Sequence, residues 1–303
     1  MTTTATGVAR TTPTTTRSHE QQGSPTPAPH GTTSRTRRRR TRRYVMAAPD
    51  HLAIEYAINP WMDPTAPFDP ERAAAQWHVL RATYERLGHR VAVLGPVPGL
   101  PDLVFSANGA LVLGDVAFLS QFRHPERRGE EPLHRAFHSA AGRTIHQAVQ
   151  PCEGEGDLLV AGDVVLAGHG FRTNLAAHDE LRAHSRREVV SLELVDERFY
   201  HLDTALGVVD DDVVAWFPPA LSAAAGEELR RRFPDAIEID EHDAAHFAGN
   251  LVSDGQHVIV PTGVERLVDD LTRRGYDVIT VDTSELRLAG GGPKCCTAEL
   301  HDA

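Results

Sequence analysis

The sequence predicts an α/β fold assembled from repeated hairpin–helix–strand units, and three observations carry that reading. Short apolar runs are interrupted at Gly-Asp or Asp-Asp pairs, as antiparallel hairpins are. Segments with helical periodicity, closed by Gly or Pro, follow several of these runs. The alternation returns every 45 to 55 residues or so, the scale of a repeat architecture. In chain order, YVMAA (44–48) reads as a strand, PERAAAQWHVLRATYERLG (70–88) as an amphipathic helix and HRVAVLG (89–95) as a strand. ALVLGDVAFLS (110–120), DLLVAGDVVLAG (157–168) and ALGVVDDDVVAWF (205–217) read as strand pairs. LSAAAGEELRRRF (221–233) reads as a helix, HVIVP (257–261) as a strand, GVERLVDDLTRRG (263–275) as a helix and DVITVD (277–282) as a strand. A doubly wound sheet would place single strands between helices, and the paired strands at 157–168 and 205–217 speak against it.

Two regions divide the chain. Residues 1–43 are rich in Thr, Ser, Pro and Arg, with almost no large apolar side chain, and are expected to be a disordered basic tail. Residues 44–303 are expected to form a single catalytic domain. Nine arginines against Glu20 give the tail a net charge of +8, so the overall −11 leaves −19 on the rest. So acidic a body argues against a nucleic-acid groove on the folded domain and suits a small cationic ligand. The sequence contains no span near the roughly 18 apolar residues a membrane helix needs and no apolar segment after Arg43 resembling a secretory signal. Cys152, Cys295 and Cys296 do not make a disulfide framework, and the expected compartment is a reducing cytoplasm.

Three short stretches bring chemistry: EGEGD at 153–157, FYHLDTAL at 199–206 and GGGPKCCT at 290–297. They supply a carboxylate, a histidine and a thiol, the set required for nucleophilic catalysis. Cys295 follows three glycines and Pro293, where backbone can approach a ligand closely. Lys294 beside it favours a thiolate if its ammonium faces the sulfur. A zinc site built from the three cysteines and a histidine is a weaker alternative, because Cys-x2-Cys spacing is missing.

Together these stretches resemble the guanidino-group modifying enzymes of the pentein superfamily, which include dimethylarginine dimethylaminohydrolases, arginine deiminases and arginine amidinotransferases. The resemblance runs from Tyr44 to the C-terminus and is most specific in His201-Leu202-Asp203 and in the glycine-rich approach to Cys295. EGEGD is similar to the family's Glu-Gly-Gly-Asp with one extra residue, FRT (171–173) to the Arg-Thr that follows it, and PDLVFSAN (101–108) and YAINPWM (56–62) to further family segments. The resemblance implies a pentein-type α/β propeller of repeated ββαβ units. It also implies hydrolysis of a guanidino C–N bond in a free arginine derivative, dimethylargininase-like and citrulline-forming, through a thiouronium on Cys295. His201 would be the general acid and base, with Glu153 holding the guanidinium and orienting His201; Glu155 is the rival for that place. Asp203 would accept guanidinium N–H bonds, lying on the same side of a strand as His201. Arg172 would clamp the substrate carboxylate, Phe105 would pack on the guanidinium face, and Asp102 would bind the α-amino end. Asn108 stands where deiminases and dimethylargininases have an aspartate, so the site has one anion fewer. Cys296 would point into packing. The implied partner is a small cationic amino acid, arginine or methylated arginine, with no metal and no organic cofactor. Within the family the alternatives are an arginine dihydrolase giving ornithine and an arginine amidinotransferase; outside enzymes, the alternative is a catalytically silent propeller acting as a binding module.

Overall fold

The computed structural model describes residues 1–7, 9 and 37–302, and the chain divides into Met1–Ser34 and Arg35–Ala303. In the first unit the described residues 1–7 and 9 are exposed and have no regular secondary structure. The rest of the expected tail up to residue 36 lies outside the described residues.

The second unit is a mixed α/β fold in which one connection pattern occurs five times. β1 (Arg43–Ala47) leads through the helix Pro70–Arg86 to β2 (Arg90–Leu94), which pairs with β1 in parallel. β3 (Ala110–Leu113) and β4 (Val116–Leu119) form a hairpin, and the helix Glu131–Ala140 carries the chain to β5 (Thr144–Gln147), parallel to β4. β6 (Leu158–Ala161) and β7 (Val164–His169) repeat the hairpin, with the helix Leu175–His184 leading to β8 (Glu188–Glu193). β9 (Leu206–Asp210), β10 (Val213–Trp216), the helix Ala223–Arg232 and β11 (Ile237–Glu238) follow the same order. So do β12 (Val252–Ser253), β13 (His257–Pro261), the helix Glu265–Arg273 and β14 (Asp277–Val281). β15 (Ala298–His301) then pairs antiparallel with β1, so the two ends of the described unit complete the fifth ββαβ set. β15 also pairs in parallel with β3, giving a six-stranded sheet of order β2-β1-β15-β3-β4-β5 beside three sheets of three strands.

Local chemistry accounts for these elements. Asp69 caps the first helix by accepting from the Arg72 amide, Pro70 occupies its first turn, and Ala73, Trp77, Leu80 and Tyr84 face inward at helical spacing. Burying a side chain such as Leu80 is worth about 2 kcal/mol. That face packs with Tyr44, Met46, Cys295 and Cys296 in one core cluster, while Trp216, Leu229 and Leu267 belong to a larger one. No helix among the described residues is long and apolar enough to cross a membrane.

The expected tail boundary at residue 43 needs correction, because the segment from Arg37 is held against the fold. The Arg37 guanidinium lies 4.0 Å from the Tyr276 ring centroid and donates to the Arg274 carbonyl. Arg40 donates its amide to the Asp254 carbonyl at 2.8 Å and pairs through its side chain with Asp211. Arg42 reaches Glu299 at 2.8 Å, and Arg43, which opens β1, reaches Asp302 at 2.8 Å. The acidic body supplies the counter-ions that make this arginine run part of the domain instead of a solvated tail.

Candidate active site

Each of the five units is entered through one short turn just before its first strand, and in or beside these turns stand the candidate residues. They are Ser106–Gly109 before β3, Gly154–Asp157 before β6, Leu202–Ala205 before β9, residues 245–250 before β12 and residues 293–296 before β15. Because 202–205 is a helical turn, His201 and Asp203 do not share one side of a strand as expected; they point to different partners. His201 Nε2 lies 2.8 Å from Glu153 Oε2, and Glu153 also receives Arg172 Nη1 at 3.0 Å. Asp203 Oδ2 instead accepts from the Cys295 thiol at 3.2 Å. All five side chains are buried.

Burial and neighbours set the charges. Burial alone would raise the Glu153 carboxyl, but Arg172, followed by His201, holds it well below the usual carboxylate range. Burial pushes the Asp203 carboxyl up to about 7, against the opposing pull of Lys294. Burial, then Asp203, pushes the Cys295 thiol well above its ordinary value. The site therefore holds one firmly ionised carboxylate beside the imidazole, and a carboxyl near neutrality beside a protonated thiol.

The two glutamates separate cleanly. Glu153 faces His201 and Arg172, whereas Glu155 accepts from Lys294 Nζ at 2.8 Å and from the Glu299 amide, and lies 3.0 Å from His301 Nε2. Lys294 thus turns its ammonium toward Glu155 and the Thr297 carbonyl; these, and not the sulfur, are its hydrogen-bond partners. Asp157 is structural, accepting from the Thr173 hydroxyl at 2.6 Å and the Leu202 amide at 3.0 Å.

The remaining expected residues surround this centre. Asp102 accepts from the Tyr56 hydroxyl at 3.0 Å through Oδ2. Arg172 Nη2 donates to the Ile58 carbonyl at 2.8 Å, which ties the YAINPWM segment to Glu153. Phe105 is buried in the core cluster, with its ring filling the space where Gly291 lacks a side chain. Cys296 is fully buried in the same cluster. Asn108 Oδ1 accepts from Arg127 Nη1 at 2.7 Å; an arginine only donates, so this contact fixes the amide and leaves Nδ2 facing Gly156. A Cβ on Gly156 would fall 2.2 Å from that nitrogen and 3.2 Å from the His201 ring. Among the described residues, the buried side-chain atoms without a partner include Asp102 Oδ1, Asn108 Nδ2, His201 Nδ1 and Asp203 Oδ1.

Two residues of the site escaped sequence reasoning. Arg127 is buried, pairs bidentately with Glu130 at 2.8 Å and holds Asn108, yet its PERRGE context reads as surface. Asn250 contacts the Cys295 sulfur at 3.1 Å. Its signal was positional: Asn250 stands two residues before β12 as Asn108 stands two before β3.

Comparison with known proteins places this geometry. A family model described as N,N dimethylarginine dimethylhydrolase, eukaryotic, matches residues 59–302. The N(G),N(G)-dimethylarginine dimethylaminohydrolase of Mycobacterium tuberculosis is 50% identical over 262 residues, which cover 86% of this chain and 87% of that protein. The bifunctional arginine dihydrolase/ornithine cyclodeaminase ArgZ of Synechocystis is 38% identical across 86% of this chain but only 38% of its own length. The crystal structure of the ArgZ N-terminal domain, as a cysteine-to-serine mutant bound to substrate, superposes with a TM-score of 0.83 at 36% identity, covering 86% of this chain and 98% of that one. A dimethylarginine dimethylaminohydrolase structure from Pseudomonas aeruginosa, 22% identical with a TM-score of 0.72 and covering 86% and 99% of the two chains, shares the fold. On the extent of the family match and on the 50% identical relative, this chain belongs to the N,N dimethylarginine dimethylhydrolase family.

Proposed function

We propose that the protein hydrolyses a guanidino C–N bond of a free arginine derivative, dimethylarginine in the first place, with citrulline and dimethylamine as products. The observation that carries this reading is the pairing of two linked sets, Glu153 with His201 and Asp203 with Cys295, next to the four unpartnered polar atoms. A guanidinium is a flat, permanently charged group of N–H donors, and it matches acceptors such as Asp203 Oδ1 and the Glu153 carboxylate. On this reading the five ββαβ units are the blades of an α/β propeller, and the turns before their first strands meet at its centre.

The chemistry follows from the charges. At rest the thiol is kept protonated by burial and by Asp203. A cation between Glu153 and Asp203 offsets that repulsion, and the S–H proton is placed to leave along its hydrogen bond to Asp203. The sulfur then bonds to the central guanidinium carbon. His201 protonates the departing dimethylamine and afterwards takes a proton from water, whose oxygen adds to the thiouronium carbon and releases Cys295. One water is consumed and the thiol is regenerated. Arg172 would meet the substrate carboxylate with Nη2, replacing the Ile58 carbonyl, while Asp102 Oδ1 would receive the α-amino group and Phe105 would form the apolar wall. The nucleophile must stay a free thiol, which suits a reducing cytoplasm.

One observation favours a second reading, arginine dihydrolase activity. With its oxygen taken by Arg127, Asn108 offers the site a donor and not a carboxylate, and a donor suits the oxygen of a ureido product held for a second hydrolysis. In that case arginine and two waters give ornithine, carbon dioxide and two ammonia. Incubating the protein separately with dimethylarginine, arginine, and arginine plus glycine, and identifying products by mass, tests both readings. Citrulline with dimethylamine supports the first, ornithine with ammonia the second, and a transferred amidine or no turnover refutes both.

A further inference from the structure

We infer that Asn250 is a further catalytic residue, whose side-chain amide holds the Cys295 sulfur in place and stabilises it as a thiolate; the inference rests on the proposed role of Cys295 as nucleophile. Asn250 is fully buried and occupies the turn before β12, a unit that contributes none of the carboxylate, histidine or thiol groups. Its Nδ2 donates to the Asp203 carbonyl at 3.0 Å and to Cys295 Sγ at 3.1 Å. Its Oδ1 accepts from the backbone amides of Lys294 at 2.9 Å and Cys295 at 3.2 Å. One amide therefore links both segments that carry the reacting groups, the His201–Asp203 turn and the cysteine turn. Two main-chain donors fix its orientation, so the group aimed at the sulfur is an N–H.

That assignment answers a difficulty in the site. Cys295 lies in a buried environment beside a carboxyl, and the adjacent ammonium of Lys294 turns toward Glu155. A sulfur about to carry negative charge needs a positioned donor, and Asn250 Nδ2 is the side-chain N–H donor that reaches it. Gly292 serves the same arrangement, since a Cβ there would fall 2.8 Å from Asn250 Oδ1 and push the amide off the cysteine turn.

The test compares the parent with Asn250→Asp and Asn250→Leu, all in a Cys296→Ala background, because the two cysteines share one peptide. Asn250→Asp keeps the volume and the acceptor for both backbone amides but puts a carboxylate beside the sulfur, so its effect counts only where the neutral Asn250→Leu, or Asn250→Ala if that variant does not fold, slows alkylation as well. Carbamidomethylation of Cys295 by iodoacetamide is followed by mass spectrometry from pH 6 to 10, alongside turnover. Loss of a hydrogen bond to a charged group predicts alkylation slower by about 10- to 100-fold at pH 8, with the rate–pH midpoint moved upward. It also predicts a matching fall in kcat with KM nearly unchanged, which loosened packing alone would not give. Rate–pH curves that superimpose on the parent would overturn the inference. Full turnover by Cys295→Ser would instead overturn the nucleophile reading, so the two failures are distinguishable.

Discussion

Replacing Asp203 by Asn should stabilise the protein while abolishing turnover, and the stabilisation should depend on pH in a way that identifies its source. Burial raises the Asp203 carboxyl from 3.8 to about 7. A carboxyl raised on folding contributes stability that is fully present below pH 4, where it is protonated in both states. That contribution is lost as pH rises toward 7, where the unfolded chain is ionised and the folded one resists. At about 1.4 kcal/mol per unit, roughly three units come to about 4 kcal/mol in total, of which about 3 kcal/mol falls between pH 5 and pH 8. Asparagine keeps an oxygen for the Cys295 thiol and never ionises, so it escapes this cost. Glu130 and Asp157, also raised by burial, to about 7 and about 6, titrate in both proteins and cancel in the difference. Urea unfolding of the two proteins at pH 5, 6, 7 and 8 measures it: the advantage of Asp203→Asn should widen from pH 5 to about pH 7 and level off toward pH 8. A difference flat to within about 1 kcal/mol across that range would mean that Asp203 is not held near neutrality, and the argument from its burial would fail.

Other perturbations probe separate links. Gly156→Ala places a methyl 2.2 Å from Asn108 Nδ2, so turnover should fall by about a hundredfold with the circular dichroism spectrum unchanged, as expected when groups at the reacting centre are displaced by about 1 Å. Arg127→Met leaves Glu130 buried without its bidentate partner; a loss of about 3–5 kcal/mol in urea unfolding at pH 8 is expected, shrinking as pH falls below 7 and Glu130 accepts a proton. Lys294→Met strands Glu155 in the same way, and the matching instability should be relieved in the double variant with Glu155→Gln, a coupling that a double-mutant cycle reads directly.

Legibility in the sequence followed the size of the local signal. The hairpins at 110–119, 158–169 and 206–216 were marked by Gly-Asp or Asp-Asp between apolar runs and emerged in place, as did HVIVP as β13. The strands that escaped lack that signal. β11 and β12 have two residues each, TIHQ in β5 is mostly polar, EVVSLE in β8 stands alone without a hairpin turn beside it, and β15 pairs with β1 from the far end of the chain, where no window can see it. Glu153, His201, Asp203 and Cys295 were legible because their short motifs are specific, but their connections were not. A reading that placed His201 and Asp203 on one strand face could not anticipate that a helical turn sends one to Glu153 and the other to Cys295.

The placement of the functional turns explains why residues so far apart in sequence meet. Each ββαβ unit turns the chain once before its first strand, and five such turns provide Asn108, Glu153, His201 with Asp203, Asn250 and Cys295. Each of these turns leads directly into a strand, so the candidate groups are anchored to the sheets. Each unit can then specialise: two supply carboxylates, one of these adding the imidazole, one the sulfur, and two an amide whose oxygen is already satisfied and whose nitrogen is left to face the site. Asn108 and Asn250 are thus held in the same way, one with its nitrogen toward Gly156 and one with its nitrogen toward the Cys295 sulfur. Weakening the fork with which Arg127 fixes Asn108, while keeping its charge beside Glu130, should therefore alter which products form, and the ratio of citrulline to ornithine in Arg127→Lys, which keeps a donor but not the fork, is the measurement that separates orientation from mere presence.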